Sequence, residues 1–309
     1  MMKKQDNQII ISNNQMTEGL FGMVILHITE ILPILEKRNT DISMLHWNIN
    51  TKSYGAIFPN VLEYKATGKL KWYLRKTKTQ LKQLRSLQPK YVLGDDFHKL
   101  HQLFFKYFAI PNDLENIASS RELEDSLGIH FRGTDKTTDS NMNTSISKDD
   151  FYMIFDSFIK KKPFNSIFLA TDENDVYSFL RSKYPNIKII SSRKFDDQNI
   201  FWRHNPAPVK NAKEAMIDML CLSKCKTVLK VSSALSSFAK ITNPDLKIYR
   251  LNALKMFTDI PYFPDAYIPL LSKDDAYSKE CNSILDKVQK DDWSLEHKEK
   301  FNNFYIKER

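Results

Sequence analysis

From residue 126 onward, short apolar runs alternate with segments whose apolar residues recur every three or four positions. The apolar runs predict buried strands over 127–131, 165–170, 187–190, 227–231 and 247–251. The segments between them predict helices over 149–161, through 176–180 to a stop at Pro185, over 212–225 and over 236–241. Strands and helices that alternate in this way form a parallel sheet with right-handed crossovers.

The first half of the chain predicts a second, less regular α/β unit. Its pattern predicts strands over 8–12 and 42–46, a loop over 13–22 and a helix over 23–37. We expect a boundary near 121–126, which divides the chain into domains 1–125 and 126–309. The C-terminal segment is rich in Lys, Asp and Glu and predicts a closing helix packed across both domains.

Polar residues follow three of the predicted strands, at 130–135, at Thr171-Asp172 and at Ser232-Ser233. In open parallel sheets, ligands bind outside the carboxyl ends of the strands. We therefore expect these three segments to converge on one crevice, although a hundred residues separate the first from the last.

The first of these segments, 128–136, contains the densest candidate chemistry. His130, Arg132 and Lys136 lie there with Asp135 in one turn. The planar guanidinium of Arg132 matches two phosphate oxygens, so it can clamp a diphosphate and neutralise its charge as it leaves. Asp135 can orient Arg132 or Lys136, and His130 can donate to a phosphate or hold the loop. Because an ordinary charged turn has the same composition, the spacing alone leaves both interpretations open.

The other two segments are compatible with helix capping as well as with binding. Thr171 or Asp172 can cap the next helix, or Asp172 can accept hydrogen bonds from a base or ribose. Ser232, Ser233 and Ser236 lie between a strand and a helix, where hydroxyls and backbone N–H groups either cap the helix or bind an anion.

Two of the seven glycines lie close together in the N-terminal loop, at Gly19 and Gly22 around Phe21. Such spacing indicates either a close backbone approach to a ligand or a simple turn before a helix.

The net charge of +9 is partly concentrated in 64–90, where nine Lys or Arg residues occur without an acidic one. This segment predicts a basic helix. Its charge suits a solvated face, an anionic membrane surface or an acidic acceptor. No nucleic-acid partner is expected, since no recognised nucleic-acid module accompanies the charge.

Cysteine usage and hydropathy bear on location. The three cysteines have no metal-ligand or disulfide spacing, which favours a reducing, intracellular setting. The most apolar stretch, 20–35, is interrupted by polar residues and Pro33, so it predicts a buried helix and no membrane span. We expect a cytoplasmic protein, with peripheral membrane contact through 64–90.

Taken together, the segments resemble the GDP-fucose transferase superfamily, which includes α-1,6-fucosyltransferases, their nodulation relatives and protein O-fucosyltransferases. Residues 128–136 are similar to its His-x-Arg-x-Thr-Asp-Lys motif, and 168–172 and 215–239 to its second and third motifs. Residues 19–22 resemble the Gly-x-Phe-Gly loop of the O-fucosyltransferase branch. The order and spacing agree from the first of these segments to the last.

The resemblance implies a GT-B-like α/β fold, with two Rossmann-like lobes whose parallel sheets face a central cleft. It also implies an inverting transfer without a metal or other cofactor, and the chain contains no Asp-x-Asp pair. Arg132 would bind the β-phosphate and stabilise the departing diphosphate, helped by Lys136. The remaining donor contacts would come from Gly19, Phe21, Gly22, His130, Thr171, Asp172, Ser232, Ser233 and Ser236.

Two positions depart from the family. The α-1,6-fucosyltransferases have a second arginine where this chain has Gly133, and a glutamate, proposed as general base, where it has Ser140. Asp139 is our candidate base and Asp135 the reserve, while a base supplied by the acceptor, or none, remains open.

The sequence therefore predicts a glycosyltransferase that moves fucose from GDP-fucose to a glycan acceptor, whose site the N-terminal lobe would shape. One alternative is the same fold with another donor, such as a UDP-linked sugar. The other is a non-catalytic protein that binds glycans or membranes through 64–90.

Overall fold

The computed structural model describes residues 10–12, 20–23, 46–48, 50–51, 55–57, 59–65, 97–133, 147–193, 195, 207–231, 233–252 and 266–269. The chain divides into two compact units, one of 1–118 with 202–217 and the other of 119–201 with 218–309. The assignment of 1–125 and 126–309 to separate functional lobes stays a prediction. In the described part of the chain, no helix is long and apolar enough to cross a membrane.

The first unit contains short paired strands and helices. Its parallel pair is β1 (Ile10–Ser12) with β2 (His46–Asn48). Its antiparallel pairs are β3 (Asn50–Thr51) with β4 (Gly55–Ala56), and β5 (Glu63–Tyr64) with β6 (Phe108–Ala109). Its helices are α1 (Leu20–Met23), α2 (Phe97–Tyr107) and α3 (Asn112–Ser119).

Three predictions for this unit are wrong in part. The loop predicted over 13–22 gives way to α1, because Leu20 and Phe21 are buried and extend the apolar helical pattern. The second strand, predicted over 42–46, is described at His46–Asn48, so that it ends two residues later than predicted. Tyr64, predicted to open the basic helix, pairs with Phe108 in a strand instead.

The remaining predictions for this part of the chain fall on other residues. The helix over 24–37, the basic helix over 66–90 and the C-terminal closing helix lie outside the described residues. Those three elements, and the membrane contact expected of 64–90, stay predictions.

The second unit contains a six-stranded sheet in which every neighbouring pair is parallel, in the order β12-β11-β10-β7-β8-β9. The α/β class with a parallel sheet is therefore confirmed. Along the chain, the elements are β7 (Leu127–Phe131), α4 (Lys148–Lys161), β8 (Ser166–Thr171), α5 (Asn174–Lys183), β9 (Lys188–Ile190), α6 (Pro208–Lys224), β10 (Thr227–Lys230), α7 (Ala234–Thr242), β11 (Lys247–Asn252) and β12 (Ala266–Pro269).

These bounds match the periodicity closely, with two differences. Helix α6 begins at Pro208, four residues before the predicted start, since proline is tolerated in the first turn of a helix. Strand β12 was not predicted. The boundary between the two units falls inside α6, after Ile217.

Side chains of β7 alternate between two covered faces of the sheet. Ile129 and Phe131 lie in a buried core with Phe155 and Phe158 of α4. On the other face, a Cβ at Gly128 would lie 3.1 Å from Leu222 Cδ2 and 3.2 Å from Cys225 Sγ. Glycine at this position therefore lets the end of α6 pack closely on the sheet.

An ion pair cluster links α4 to the end of α5 in the second unit. Asp156 accepts a hydrogen bond from Tyr184 Oη at 2.6 Å and pairs with Lys160 at 2.7 Å and Lys183 at 3.1 Å. Lys160 and Tyr184 hold the pKa of Asp156 well below its ordinary range. Its carboxylate therefore stabilises the fold above the unfolded-state pKa of about 3.9, and this contribution is lost as the pH falls toward the native value.

Replacing Asp156 with asparagine is expected to lower the free energy of unfolding by about 1 kcal/mol at pH 7, because charge-assisted hydrogen bonds are lost at a partly exposed site. The difference from wild type should shrink between pH 4 and pH 2. Urea unfolding over pH 7 to 2 measures it, with Asp149→Asn on the exposed side of α4 as the control. A difference that does not depend on pH would contradict this assignment.

Candidate functional site

The ends of three strands lie side by side in the second unit. His130 on β7 pairs in register with Lys230 on β10 and with Ala170 on β8. The three strand ends therefore share one edge of the sheet, as predicted, whereas their convergence on one crevice stays a prediction. Arg132 and Gly133 follow β7 at this carboxyl edge of the sheet, and Arg132 is partly buried there.

The turns after β7 and β8 are hydrogen-bonded to each other. Gly133 N–H donates to Asp172 Oδ1 at 3.1 Å, and Glu173 N–H donates to Thr171 Oγ1 at 3.1 Å. The N-cap residue of α5 is Glu173, so the prediction that Thr171 or Asp172 caps this helix is wrong. Asp172 instead fixes the backbone that follows Arg132.

Glu173 occupies the space beside Gly133. A Cβ built on Gly133 would lie 2.4 Å from Glu173 Oε1 and 2.9 Å from its Cδ, closer than side chains tolerate. Glu173 is also paired with Lys148 at 2.7 Å, at the start of α4. This contact could not be predicted from the sequence, and it means that a side chain at position 133 would displace the carboxyl end of Glu173.

A buried lysine that the sequence analysis missed lies at the end of β10. Lys230 has no exposed surface, and its Nζ donates to Ser233 O at 2.9 Å and to Ser237 Oγ. The sequence feature that could have indicated this residue is a lysine inside the apolar run 227–231. In a parallel sheet covered on both faces, such a residue must bury its charge.

The first turn of α7 completes this buried polar cluster. Ser236 Oγ lies 2.8 Å from His130 Nδ1, and Ser237 Oγ donates to Ser233 O at 3.1 Å. Ser233 is the N-cap residue of α7 and makes no side-chain capping bond. Ser236 therefore reaches the sheet, and the expected proximity of the serines to His130 is found.

Three basic side chains act on His130 from different elements. Burial lowers the pKa of His130 well below its ordinary value, and the charges of Lys230, Arg132 and Arg193 lower it further. The ring is therefore neutral at physiological pH, and it can exchange hydrogen bonds without adding charge.

Arg193 is the second basic residue that the sequence analysis missed. It follows β9 at the same edge of the sheet and lies 3.6 Å from Asp218 Oδ2 through its Nε. Its position after the strand predicted over 187–190 was the signal. Together with Arg132 and Lys230, it places three basic side chains around His130 at this edge.

The remaining predicted site residues belong to the first unit or lie outside the described residues. Phe21 is buried in α1, and Gly22 lies in the same helix of the first unit. Gly19, Asp135, Lys136, Asp139 and Ser232 lie outside the described residues. Within the described ranges, no group of three or more His, Cys, Asp or Glu side chains is placed to hold a metal ion.

The arrangement suits an anionic ligand. A helix N-terminus presents backbone N–H groups and a partial positive charge, and α7 begins directly beside β10 and β7. Arg132 adds a guanidinium at the same edge, where it can approach a phosphate with two parallel N–H donors. The roles of the individual residues stay predictions.

Solved structures with a similar fold include two of NodZ. NodZ α-1,6-fucosyltransferase soaked with GDP-fucose matches with a TM-score of 0.50 and 13% identity, over 78% of this chain and 94% of that chain. Fucosyltransferase NodZ from Bradyrhizobium matches with a TM-score of 0.50 and 12% identity, over 77% and 95%. POFUT1 in complex with GDP matches with a TM-score of 0.35 and 12% identity, over 49% of each chain.

No protein-family description matches the sequence, and no curated protein matches it. At these identities the likeness to NodZ shows the fold alone. The predicted GT-B-like α/β class is thereby confirmed, whereas the placement of two lobes about a cleft stays a prediction. The resemblance to the superfamily holds at the level of the fold, and the motif correspondences stay predictions.

Proposed function

We propose that this chain is a glycosyltransferase whose donor is a nucleotide-diphosphate sugar. The observation that carries the proposal is the cluster of basic side chains around His130 at the carboxyl edge of the parallel sheet. There Arg132 lies beside the neutral, buried His130 and the buried Lys230, next to the N-terminus of α7. A diphosphate has the charge and the hydrogen-bond acceptors that such an edge can bind.

We further propose GDP-fucose as the donor and a glycan as the acceptor. The fold likeness to NodZ supports this choice, because one of those crystals was soaked with GDP-fucose. The motif resemblance over 128–136 and 168–172 supports it independently, since it rests on sequence.

The proposed reaction is a single displacement that inverts the anomeric carbon. The acceptor oxygen forms a bond to that carbon while the bond from carbon to the diphosphate oxygen breaks. Arg132 stabilises the charge that develops on the leaving diphosphate, with Lys136 as a second cation. The acceptor proton goes to Asp139, or to Asp135 in reserve.

We also propose that the transfer needs no metal, because arginine and lysine supply the positive charge that a divalent ion would otherwise provide. The absence of an Asp-x-Asp pair from the whole sequence supports this view. EDTA would then leave both donor binding and turnover unchanged.

Saturating GDP is expected to raise the thermal unfolding midpoint by several degrees, with or without EDTA. A ligand at a hundred times its Kd stabilises the native state by about 2.7 kcal/mol. A thermal-shift screen of GDP, UDP and ADP, each with and without chelator, measures this effect.

The other outcomes of this screen separate the alternatives. A larger shift with UDP would contradict the GDP-sugar donor, and loss of the GDP shift in EDTA would contradict the metal-independent mechanism. Slow release of GDP from GDP-fucose without acceptor is expected of a transferase. If GDP-fucose stayed intact both without acceptor and with glycan acceptors, under conditions where GDP binds, the proposal of a fucosyltransferase would fail in favour of a binding protein.

A further inference from the structure

Lys230 is a charged residue that is buried at the end of a strand. Its side chain has no exposed surface, although a buried charge is strongly destabilising unless it is compensated. It lies at the last position of β10, in register with His130 on one side and Arg250 on the other. A charge placed at the carboxyl edge of a parallel sheet lies where ligands bind such folds.

The contacts of Lys230 determine the position of the first turn of α7. Its ammonium donates to the carbonyl of Ser233, the N-cap residue, and to the hydroxyl of Ser237 one turn later. The same turn reaches β7 through Ser236 Oγ and His130 Nδ1 at 2.8 Å. Lys230 therefore ties the first turn of α7 to β10, while Ser236 ties the same turn to β7.

Lys230 also acts on His130 electrostatically. The charged and polar groups that face this ring are Lys230 on β10, Arg132 after β7, Arg193 after β9 and Ser236 on α7. Of the three charges, that of Lys230 lowers the pKa of His130 the most. Because Lys230 is wholly buried, its ammonium acts on this ring from within the protein.

We propose that Lys230 is a positioning residue of the donor diphosphate site, whose ammonium holds the first turn of α7, and through Ser236 the His130 ring, where the diphosphate meets them. This inference rests on the proposed function. Lys230 lies within 215–239, the segment that resembles the family's third motif, at a position for which the resemblance implies no role.

The first test compares Lys230→Met with Lys240→Met. Lys240 is a matched control, since it is also a buried lysine. It lies in the last turn of α7, and its Nζ donates to the Leu246 carbonyl at 2.6 Å. Lys230→Met is expected to weaken GDP binding, measured by calorimetry, by about tenfold or more, from the loss of charge-assisted hydrogen bonds. Lys240→Met should bind GDP as wild type does, and Lys230→Arg should recover part of the loss.

The second test follows the His130 ring by NMR and needs no ligand. Lys230→Met should raise the pKa of His130 toward its ordinary value, because a neighbouring positive charge is removed, while Lys230→Arg and Lys240→Met should leave it low. A lysine that merely filled space would not move this titration. If Lys230→Met does not fold, Ser237→Ala removes one acceptor of the ammonium and should weaken GDP binding severalfold.

The two tests fail in distinguishable ways. Wild-type affinity for GDP in Lys230→Met, or an unchanged His130 titration, would overturn the role of Lys230 while leaving the proposed function intact. If the wild-type protein bound no nucleoside diphosphate, the proposed function would fail first, and with it the diphosphate role of Lys230.

Discussion

Replacing Arg132 with alanine is expected to abolish measurable sugar transfer while leaving the protein folded. Arg132 lies at the carboxyl edge of the sheet, where the proposed diphosphate would leave with added negative charge. Removing one group that stabilises such developing charge costs about 10²- to 10³-fold in turnover. Because Arg132 is only partly buried and lies outside the apolar core, the fold should tolerate its loss.

Transfer from GDP-fucose to glycan acceptors, followed with radiolabelled fucose, provides the measurement, and circular dichroism checks the fold. Arg181→Ala is the control, because Arg181 is an exposed arginine of the same unit that donates to Tyr177 Oη at 3.1 Å. Arg132→Lys should be intermediate, since it keeps the charge and loses the planar fork. Turnover near that of wild type in Arg132→Ala would refute the proposed mechanism.

The position of Arg132 could be predicted because it depends on local pattern alone. The apolar run 127–131 marks a buried strand, and the alternation of strands with helices implies a parallel sheet. Once those two inferences hold, residues after neighbouring strands must share one edge. The structure confirms this for β7, β8 and β10, although 99 positions separate Phe131 from Lys230 along the sequence.

The contacts that shape the edge could not be predicted, since each depends on how side chains of different elements meet in the folded chain. Nothing local to Lys230 shows that its ammonium will meet Ser237 in the next helix, or that it will act on His130. Likewise, a strand at Tyr64 exists only because Phe108 pairs with it. Tertiary pairing overrides the local helical pattern there.

His130 shows how the structure changes an interpretation as well as a position. From the sequence, it was a donor to phosphate or a residue that holds the loop. The structure shows its Nδ1 at hydrogen-bond distance from Ser236, and three basic neighbours lower its pKa. The contact of Nδ1 narrows the second interpretation, because the ring holds the first turn of α7. Donation from the other ring nitrogen to a phosphate stays a prediction.

Introducing an arginine at Gly133 is expected to weaken GDP binding by about ten- to a hundredfold, the range of couplings between residues in contact. The family resemblance alone suggests the opposite, since the α-1,6-fucosyltransferases have a second arginine there. In this chain, any side chain at position 133 would begin 2.4 Å from Glu173 Oε1. The carboxyl end of Glu173 would have to move, which would disturb its ion pair with Lys148 at 2.7 Å.

Displacing Glu173 would also disturb the position of Arg132, through the backbone of the neighbouring residues. Asp172, which precedes Glu173, accepts the hydrogen bond from Gly133 N–H that fixes the turn after β7. Strain in the backbone of residue 133 is not the cause, because among the described glycines only Gly55 has a positive φ, of 64°. The conflict is therefore one of side-chain space, and removing the Glu173 side chain should relieve it.

The double variant Gly133→Arg with Glu173→Ala is consequently expected to recover GDP binding that Gly133→Arg loses. Calorimetry on the four proteins of this cycle gives the coupling between positions 133 and 173, and Glu173→Ala alone serves as the control. If Gly133→Arg alone bound GDP more tightly than wild type, the contact with Glu173 would not limit this position. If the double variant bound as weakly as the single, the turn would need glycine for a reason other than Glu173, and the explanation offered for this departure from the family would be wrong.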